Sequence, residues 1–151
     1  MSLLNRIDED IIKALKGGDK LKATVLRGLK SDFKYKQIDK RADLSEDDLI
    51  VVLSSAAKKH RDSIEQFAAG NRADLVEKET AELAIITGYL PDQLPEEQLR
   101  ELIVAAIKET GADSPAKAGL VMKALMPKLK GKADGKLVSK LVSEFLSGGK
   151  S

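Results

Sequence analysis

Apolar residues recur every three or four positions along most of the chain, which is the period of an amphipathic α-helix. The pattern predicts seven helices, four before a proline-containing break at residues 89–95 and three after it. Ala, Leu, Lys, Glu and Arg, all strong helix formers, make up about half of the 151 residues. The sequence therefore predicts an all-α protein.

Residues that start and stop helices separate the predicted segments. Ser45, with Asp48 three positions later, has the spacing of a capping box, and Asp134 is placed to cap the last helix. We expect the sixth helix to be limited by Pro127 and Gly131, and the inward-facing stripes to include Leu15 and Leu120. The first five helices and the seventh are predicted at about residues 2–16, 20–40, 45–69, 72–87, 95–110 and 134–147.

The break contains Pro91 and Pro95, which together prevent a continuous helix. It is the best candidate for a domain boundary. We predict an N-terminal four-helix domain over residues 1–90 and a C-terminal three-helix domain over residues 91–151.

The composition of the chain excludes several kinds of functional site. The chain has no cysteine, which excludes disulfides, thiolate nucleophiles and cysteine-ligated zinc or iron–sulfur sites, and its one histidine excludes sites that need a histidine pair. No apolar run approaches the roughly 20 residues of a membrane span. The first helix is acidic near its start, unlike a signal peptide. We therefore expect a soluble cytoplasmic protein with no membrane partner.

Charge is unevenly distributed. Residues 20–41 carry eight basic and two acidic side chains, residues 42–94 carry five basic and eleven acidic ones, and residues 111–151 carry eight basic and three acidic ones. Two basic segments thus flank an acidic middle. The pattern fits either solvated helix faces or a polyanion-binding surface split between the two ends of the chain.

Few residues offer chemistry of their own. His60 lies on the inward stripe of the third helix, and we expect a packed or boundary histidine. Glu79 and Glu82 share a face of the fourth helix, where they could act in acid–base chemistry, bind magnesium, form a solvated side or pair with the basic second helix. No phosphate-binding glycine loop or metal-ligand spacing is present. The sequence therefore assigns no catalytic residue, no metal ligand and no cofactor.

Basic residues provide the candidate binding site. On the second helix, Lys20, Arg27, Lys34 and Arg41 are each seven positions apart, so they stay on one side. Near the C-terminus, lysines surround a loop of small residues beside a helix start, a setting suited to phosphate contacts. The predicted nucleic-acid-binding residues are Lys128, Lys130, Gly131, Lys132, Gly135, Lys136, Arg27, Lys30 and Lys34.

Several segments form a series of motifs in a fixed order. They include residues 61–67, the stretch from Gly70 to Leu75, the Glu79–Glu82 helix, Tyr89-Leu90-Pro91, and residues 119–127 followed by 131–138. This series resembles the YqeY-like family. The match covers nearly the whole chain and keeps the order and spacing of the motifs.

This resemblance implies a standalone relative of the tail of the GatB subunit of aspartyl/glutamyl-tRNA amidotransferase. It implies an all-helical protein whose three C-terminal helices resemble that tail, which engages the elbow of tRNA. It also suggests carbon–nitrogen ligase activity with glutamine as the amido-nitrogen donor, although the chain has no self-contained catalytic site. We therefore expect a module that binds tRNA or a tRNA-processing enzyme complex. The alternatives are an accessory of a glutamine-dependent amidotransferase and a protein-interaction scaffold.

Overall fold

The computed structural model describes residues 2–91 and 93–148, and these residues form a helical protein. The chain divides into two compact units, Met1–Leu90 and Pro91–Ser151. The first unit contains α1 (Leu3–Lys16), α2 (Lys20–Lys40), α3 (Glu46–Ala69) and α4 (Ala73–Thr87). The second contains α5 (Glu96–Thr110), a short 3-10 turn (Pro115–Lys117), α6 (Ala118–Leu129) and α7 (Gly135–Leu146). The predicted all-α class is confirmed.

Side-chain caps explain where several helices begin. The Oγ of Ser2 accepts a hydrogen bond from the backbone N–H of Asn5 at 3.2 Å, and Asp19 accepts one from the N–H of Lys22 at 3.1 Å. Such bonds satisfy donors that the first turn of a helix leaves unpaired. At the other end of α2, Arg41 adopts a left-handed conformation with φ 59° that closes the helix.

The capping box predicted at the start of α3 is confirmed. Ser45 Oγ accepts from the N–H of Asp48 at 3.1 Å, and the Asp48 carboxylate accepts from the N–H of Ser45 at 2.9 Å. The same carboxylate also pairs with the ammonium group of Lys40. The Lys40 hydrogen bond, followed by the Ser45 backbone bond, lowers the pKa of Asp48 to about 2. The cap therefore keeps its charge well below the usual carboxyl range.

The first unit packs around a continuous apolar core. Its aliphatic and aromatic members come from all four helices and from Tyr89, which follows the end of α4 by two positions. The buried members of this core are Ile7, Leu26, Leu29, Phe33, Leu49, Leu53, Ala57, Ile86 and Tyr89.

Tyr89 joins the end of α4 to α1. Its hydroxyl donates to the Asp10 carboxylate, and the Arg6 guanidinium carbon lies 4.7 Å from the centre of its ring. Arg6 also donates to the backbone carbonyl of Gly88 at 2.8 Å. Burial, and then the Asp10 contact, raises the pKa of Tyr89, so its hydroxyl stays protonated and donating.

The second unit has a core of its own, formed by α5, α6 and α7. Its largest fully buried members include Leu99, Ile103, Val121, Leu125 and Leu141. The segment before α5 is held by the loop after α6, because Gln93 Nε2 donates to the Gly131 carbonyl at 2.7 Å and the Leu94 N–H donates to the Lys132 carbonyl at 2.9 Å.

Two details of the sequence prediction are wrong. Leu15 is 49% exposed and Leu120 is 52% exposed, although both fit the inward stripes. On α1 the neighbouring Ala14 is buried instead. The sixth helix ends at Leu129, between the two expected limits Pro127 and Gly131, and it includes Pro127.

None of the helices in the described residues combines the length and apolar character that crossing a membrane requires.

Candidate metal centre

Three side chains that can ligate a metal converge between α3 and α4. His60 Nδ1 lies 2.5 Å from Oε2 of Glu79 and 3.6 Å from Oε2 of Glu82. One ligand atom from each residue lies within 4.8 Å of the others. The three side chains therefore form a compact nitrogen-and-oxygen cluster.

The helical hairpin explains this convergence. α3 and α4 follow one another through a short turn at Gly70–Arg72, closed by the Arg72 N–H donating to the Phe67 carbonyl at 2.8 Å. Two helices joined in this way run antiparallel. His60 lies ten residues before Gly70 and Glu79 nine residues after it, so the hairpin brings them to the same level. Glu82 follows Glu79 by three positions and shares its face.

The cluster is largely withdrawn from solvent. The side chains of His60, Glu79 and Glu82 are 22%, 20% and 16% exposed. Lys78 Nζ lies 4.0 Å from the other Glu82 oxygen. Two carboxylates so close together repel each other unless a positive charge lies between them. A protonated His60 can supply one positive charge, and a divalent cation can supply two.

The donor set favours a particular kind of ion. Imidazole nitrogen suits zinc and neighbouring first-row metals, whereas calcium and magnesium prefer oxygen ligands alone. Bonds of roughly 2.1 Å at tetrahedral angles would separate the ligand atoms of one ion by about 3.4 Å. His60 Nδ1 lies 3.6 Å from the Glu82 oxygen, near that spacing, whereas its 2.5 Å contact with Glu79 would have to lengthen. Three protein ligands also leave a coordination position for water.

One expectation about these residues needs correction. His60 is a half-buried boundary residue, within what was expected, and two carboxylates contact it. The α4 carboxylates Glu79 and Glu82 pair with His60 on α3, and not with the basic α2. The nearly equal distances of His60 and Glu79 from the Gly70 turn, ten and nine residues, were the sequence signal for this cluster.

The basic residues predicted near the C-terminus lie together in the second unit. Lys128 and Lys130 are at the end of α6, Gly131 forms the following turn with φ 73°, and Gly135 and Lys136 begin α7. Lys132 is exposed in the intervening loop. The Lys128 ammonium lies 3.7 Å from the Glu109 carboxylate, and Lys130 and Lys136 also have interaction partners.

The other predicted basic residues belong to the first unit. Arg27, Lys30 and Lys34 are exposed on α2. The Lys30 ammonium lies 2.5 Å from the Asp8 carboxylate of α1, so part of its charge is offset within the chain. A role of all these basic residues in nucleic-acid binding stays a prediction.

Comparison with known proteins identifies the family. A family model described as YqeY-like protein matches residues 4–146. The chain belongs to the YqeY-like family. The resemblance found in the sequence is thereby confirmed over nearly its whole length.

Three relatives of this YqeY-like chain, all from yeasts, are each named "Altered inheritance of mitochondria protein 41, mitochondrial". The one from Lachancea thermotolerans is 43% identical over 90 residues, or 59% of this chain and 48% of the relative. Those from Kluyveromyces lactis and Saccharomyces cerevisiae strain YJM789 are each 39% identical, over 55% and 57% of this chain and 45% and 46% of the relatives. Each alignment thus spans about half the length of the relative.

These names correct two predictions made from the YqeY-like sequence. The relatives are named for the inheritance of mitochondria, which overturns the expected module for tRNA-dependent amidation and its stated alternatives. They are also named as mitochondrial proteins, which conflicts with the predicted cytoplasmic location. The first prediction was inferred from the amidotransferase side of the resemblance, and the second from composition and the acidic start of the first helix.

Proposed function

We propose that this protein binds a divalent first-row transition-metal ion through His60, Glu79 and Glu82. The observation that carries the proposal is the convergence of one imidazole and two carboxylates from facing helices, within 4.8 Å and mostly out of solvent. Zn²⁺ is the ion that we expect to fit best, because it accepts this mixture of nitrogen and oxygen donors in small, three-residue protein sites.

The ion would link α3 to α4. Without it, His60 Nδ1 lies against the Glu79 carboxylate. With it, all three ligand atoms would bind the same ion. A ligand that binds only the folded chain stabilises the fold, by about 2.7 kcal/mol at a free concentration one hundred times its dissociation constant. We therefore expect the ion to stabilise this hairpin.

Calorimetric titration of the full chain with Zn²⁺ tests the proposal. We expect one ion per chain, and at least tenfold weaker binding after His60→Ala or Glu79→Gln, because each change removes a ligand. Mg²⁺ should bind more weakly than Zn²⁺, since the site contains a nitrogen donor.

The matched control is Glu77→Gln. Glu77 is an exposed carboxylate on the same helix and lies outside the cluster. This variant should bind Zn²⁺ like the unaltered chain. Equal loss of affinity in Glu77→Gln and Glu79→Gln, or no saturable binding to the folded chain, would contradict the proposal.

A second candidate function is a role in the inheritance of mitochondria, favoured by the names of the relatives. The test is expression of this chain in a Saccharomyces cerevisiae strain that lacks its own relative. Restored transmission of mitochondria to daughter cells is the expected result. Failure of a well-expressed, mitochondrially targeted chain to restore it would count against the role.

A further inference from the structure

The outer face of α2 carries a second periodic pattern, separate from the one that builds the core. The core-facing residues of α2 are Ala23, Leu26, Leu29 and Phe33. On the opposite side, exposed residues follow one another at spacings of three and four. They are Leu21, Thr24, Gly28, Ser31, Tyr35 and Ile38.

These spacings are those of the a and d positions of a heptad, the positions that meet in a two-stranded coiled coil. Three of the exposed members are large and apolar: Leu21 is 37% exposed, Tyr35 74% and Ile38 64%. Tyr35 and Ile38 also line an open groove of about 570 Å³ between α2 and α3, together with Val51. The stripe therefore continues into a concave surface that another helix can enter.

The middle of the stripe is made of small residues. Thr24, Gly28 and Ser31 allow the backbone of a second helix to come close. Gly28 lies inside a 21-residue helix, where glycine is disfavoured, and no neighbouring atom lies within 4 Å of the position its Cβ would occupy. No packing contact among the described residues requires glycine here, whereas the close approach of another helix would favour it.

The charged residues on both flanks of this stripe indicate which partner it can bind. Arg27 and Lys34 occupy the g positions on one flank of the stripe, and Asp32 and Asp39 occupy the e positions on the other. In a parallel pair of identical helices, each g residue faces the e residue five positions further along the partner. Arg27 then faces Asp32 of the second copy, and Lys34 faces Asp39 of the second copy. Within residues 2–91 and 93–148, no ion pair uses these four side chains.

We propose that α2 pairs in parallel with α2 of a second copy of this chain, forming a two-fold symmetric dimer. The symmetry places the same stripe on both partners, so each complementary contact occurs twice. An antiparallel pair would instead place the acidic flanks against each other and the basic flanks against each other. The pattern of charges therefore favours the parallel arrangement, independently of metal binding.

Charge reversal tests this pairing. Sedimentation of the unaltered chain should show a concentration-dependent shift from 16.4 kDa towards twice that mass. The variant R27E/K34E, with acidic residues on both flanks, and the variant D32K/D39K, with basic residues on both flanks, should each stay monomeric. An equimolar mixture of the two should dimerise again, because each acidic flank then meets a basic one. The four positions are exposed, so circular dichroism should show unchanged helicity.

Cysteine cross-linking tests the direction. The chain has no cysteine of its own, so Thr24→Cys and Ser31→Cys each introduce a single thiol. In a parallel pair both positions meet their own counterparts, and both variants should form disulfide-linked dimers on mild oxidation. An antiparallel pair cannot bring both into contact. Ser143→Cys, at an exposed position on α7, is the control and should cross-link far more slowly.

Three different results would contradict this proposal. A chain that stays monomeric up to about 1 mM overturns the proposal. So does a dimer that both charge-reversed variants still form alone, because its interface would lie elsewhere. Cross-linking at only one of positions 24 and 31 would overturn the parallel direction.

Discussion

Leu53→Ala is expected to lower the free energy of unfolding of the first unit by about 2–5 kcal/mol. Leu53 is 0% exposed and belongs to the core built by α1 to α4. Alanine removes three carbon atoms from this site and leaves a cavity that the surrounding helices cannot fully close. The measurement is urea unfolding followed by circular dichroism, where the midpoint should fall while the slope stays constant.

Ile12→Ala is the matched control for Leu53→Ala. Ile12 is an aliphatic residue of the same unit but is 52% exposed on α1. Its truncation should change the free energy of unfolding by no more than about 0.5 kcal/mol. If both variants lost similar stability, the assignment of Leu53 to the core would be wrong.

Tyr89→Ala is expected to cost about 3–5 kcal/mol, which is the usual cost of truncating a buried aromatic side chain. The change removes the ring from the core, the contact with the Arg6 guanidinium and the hydroxyl that donates to Asp10. Thermal unfolding monitored by circular dichroism measures the loss.

Tyr89→Phe separates the hydroxyl from the ring. The phenylalanine keeps the packing and the cation–π contact, but it leaves a half-buried Asp10 oxygen without its donor. We expect a loss of about 1–3 kcal/mol, the usual cost of removing a partner from a charged hydrogen bond. If Phe and Ala at this position were equally destabilising, the ring would contribute nothing, contrary to its burial.

Much of the helical framework follows from local signals in the sequence. The Lys20–Lys40 bounds of α2 agree with the prediction because Asp19 caps its start. The capping box at Ser45 is equally local. These features depend on residues within one turn of each other, so the sequence alone contains the physics that fixes them.

Exposure within a helix depends on distant neighbours. Leu15 and Leu120 have the right periodicity for core residues, yet each is about half exposed. Periodicity gives the direction of the apolar stripe but not the width that the neighbouring helices cover.

Only part of the candidate metal centre could be predicted from the sequence, because the rest depends on how α3 and α4 pack. That Glu79 and Glu82 share a face was predictable from their spacing. That His60 meets them depends on the register of the α3–α4 hairpin, which the turn at Gly70–Arg72 sets. The pairing of Lys30 with Asp8 could not be predicted from the sequence either, because it joins two helices whose relative rotation is defined only in the folded unit.

The single imidazole of the chain lies inside the carboxylate cluster of the hairpin. Its ring protons therefore give the only histidine signals in a proton NMR spectrum, and they need no isotope labelling or assignment. Any event that separates or tightens α3 and α4 changes the surroundings of this one ring. His60 thus serves as a built-in spectroscopic reporter of the hairpin.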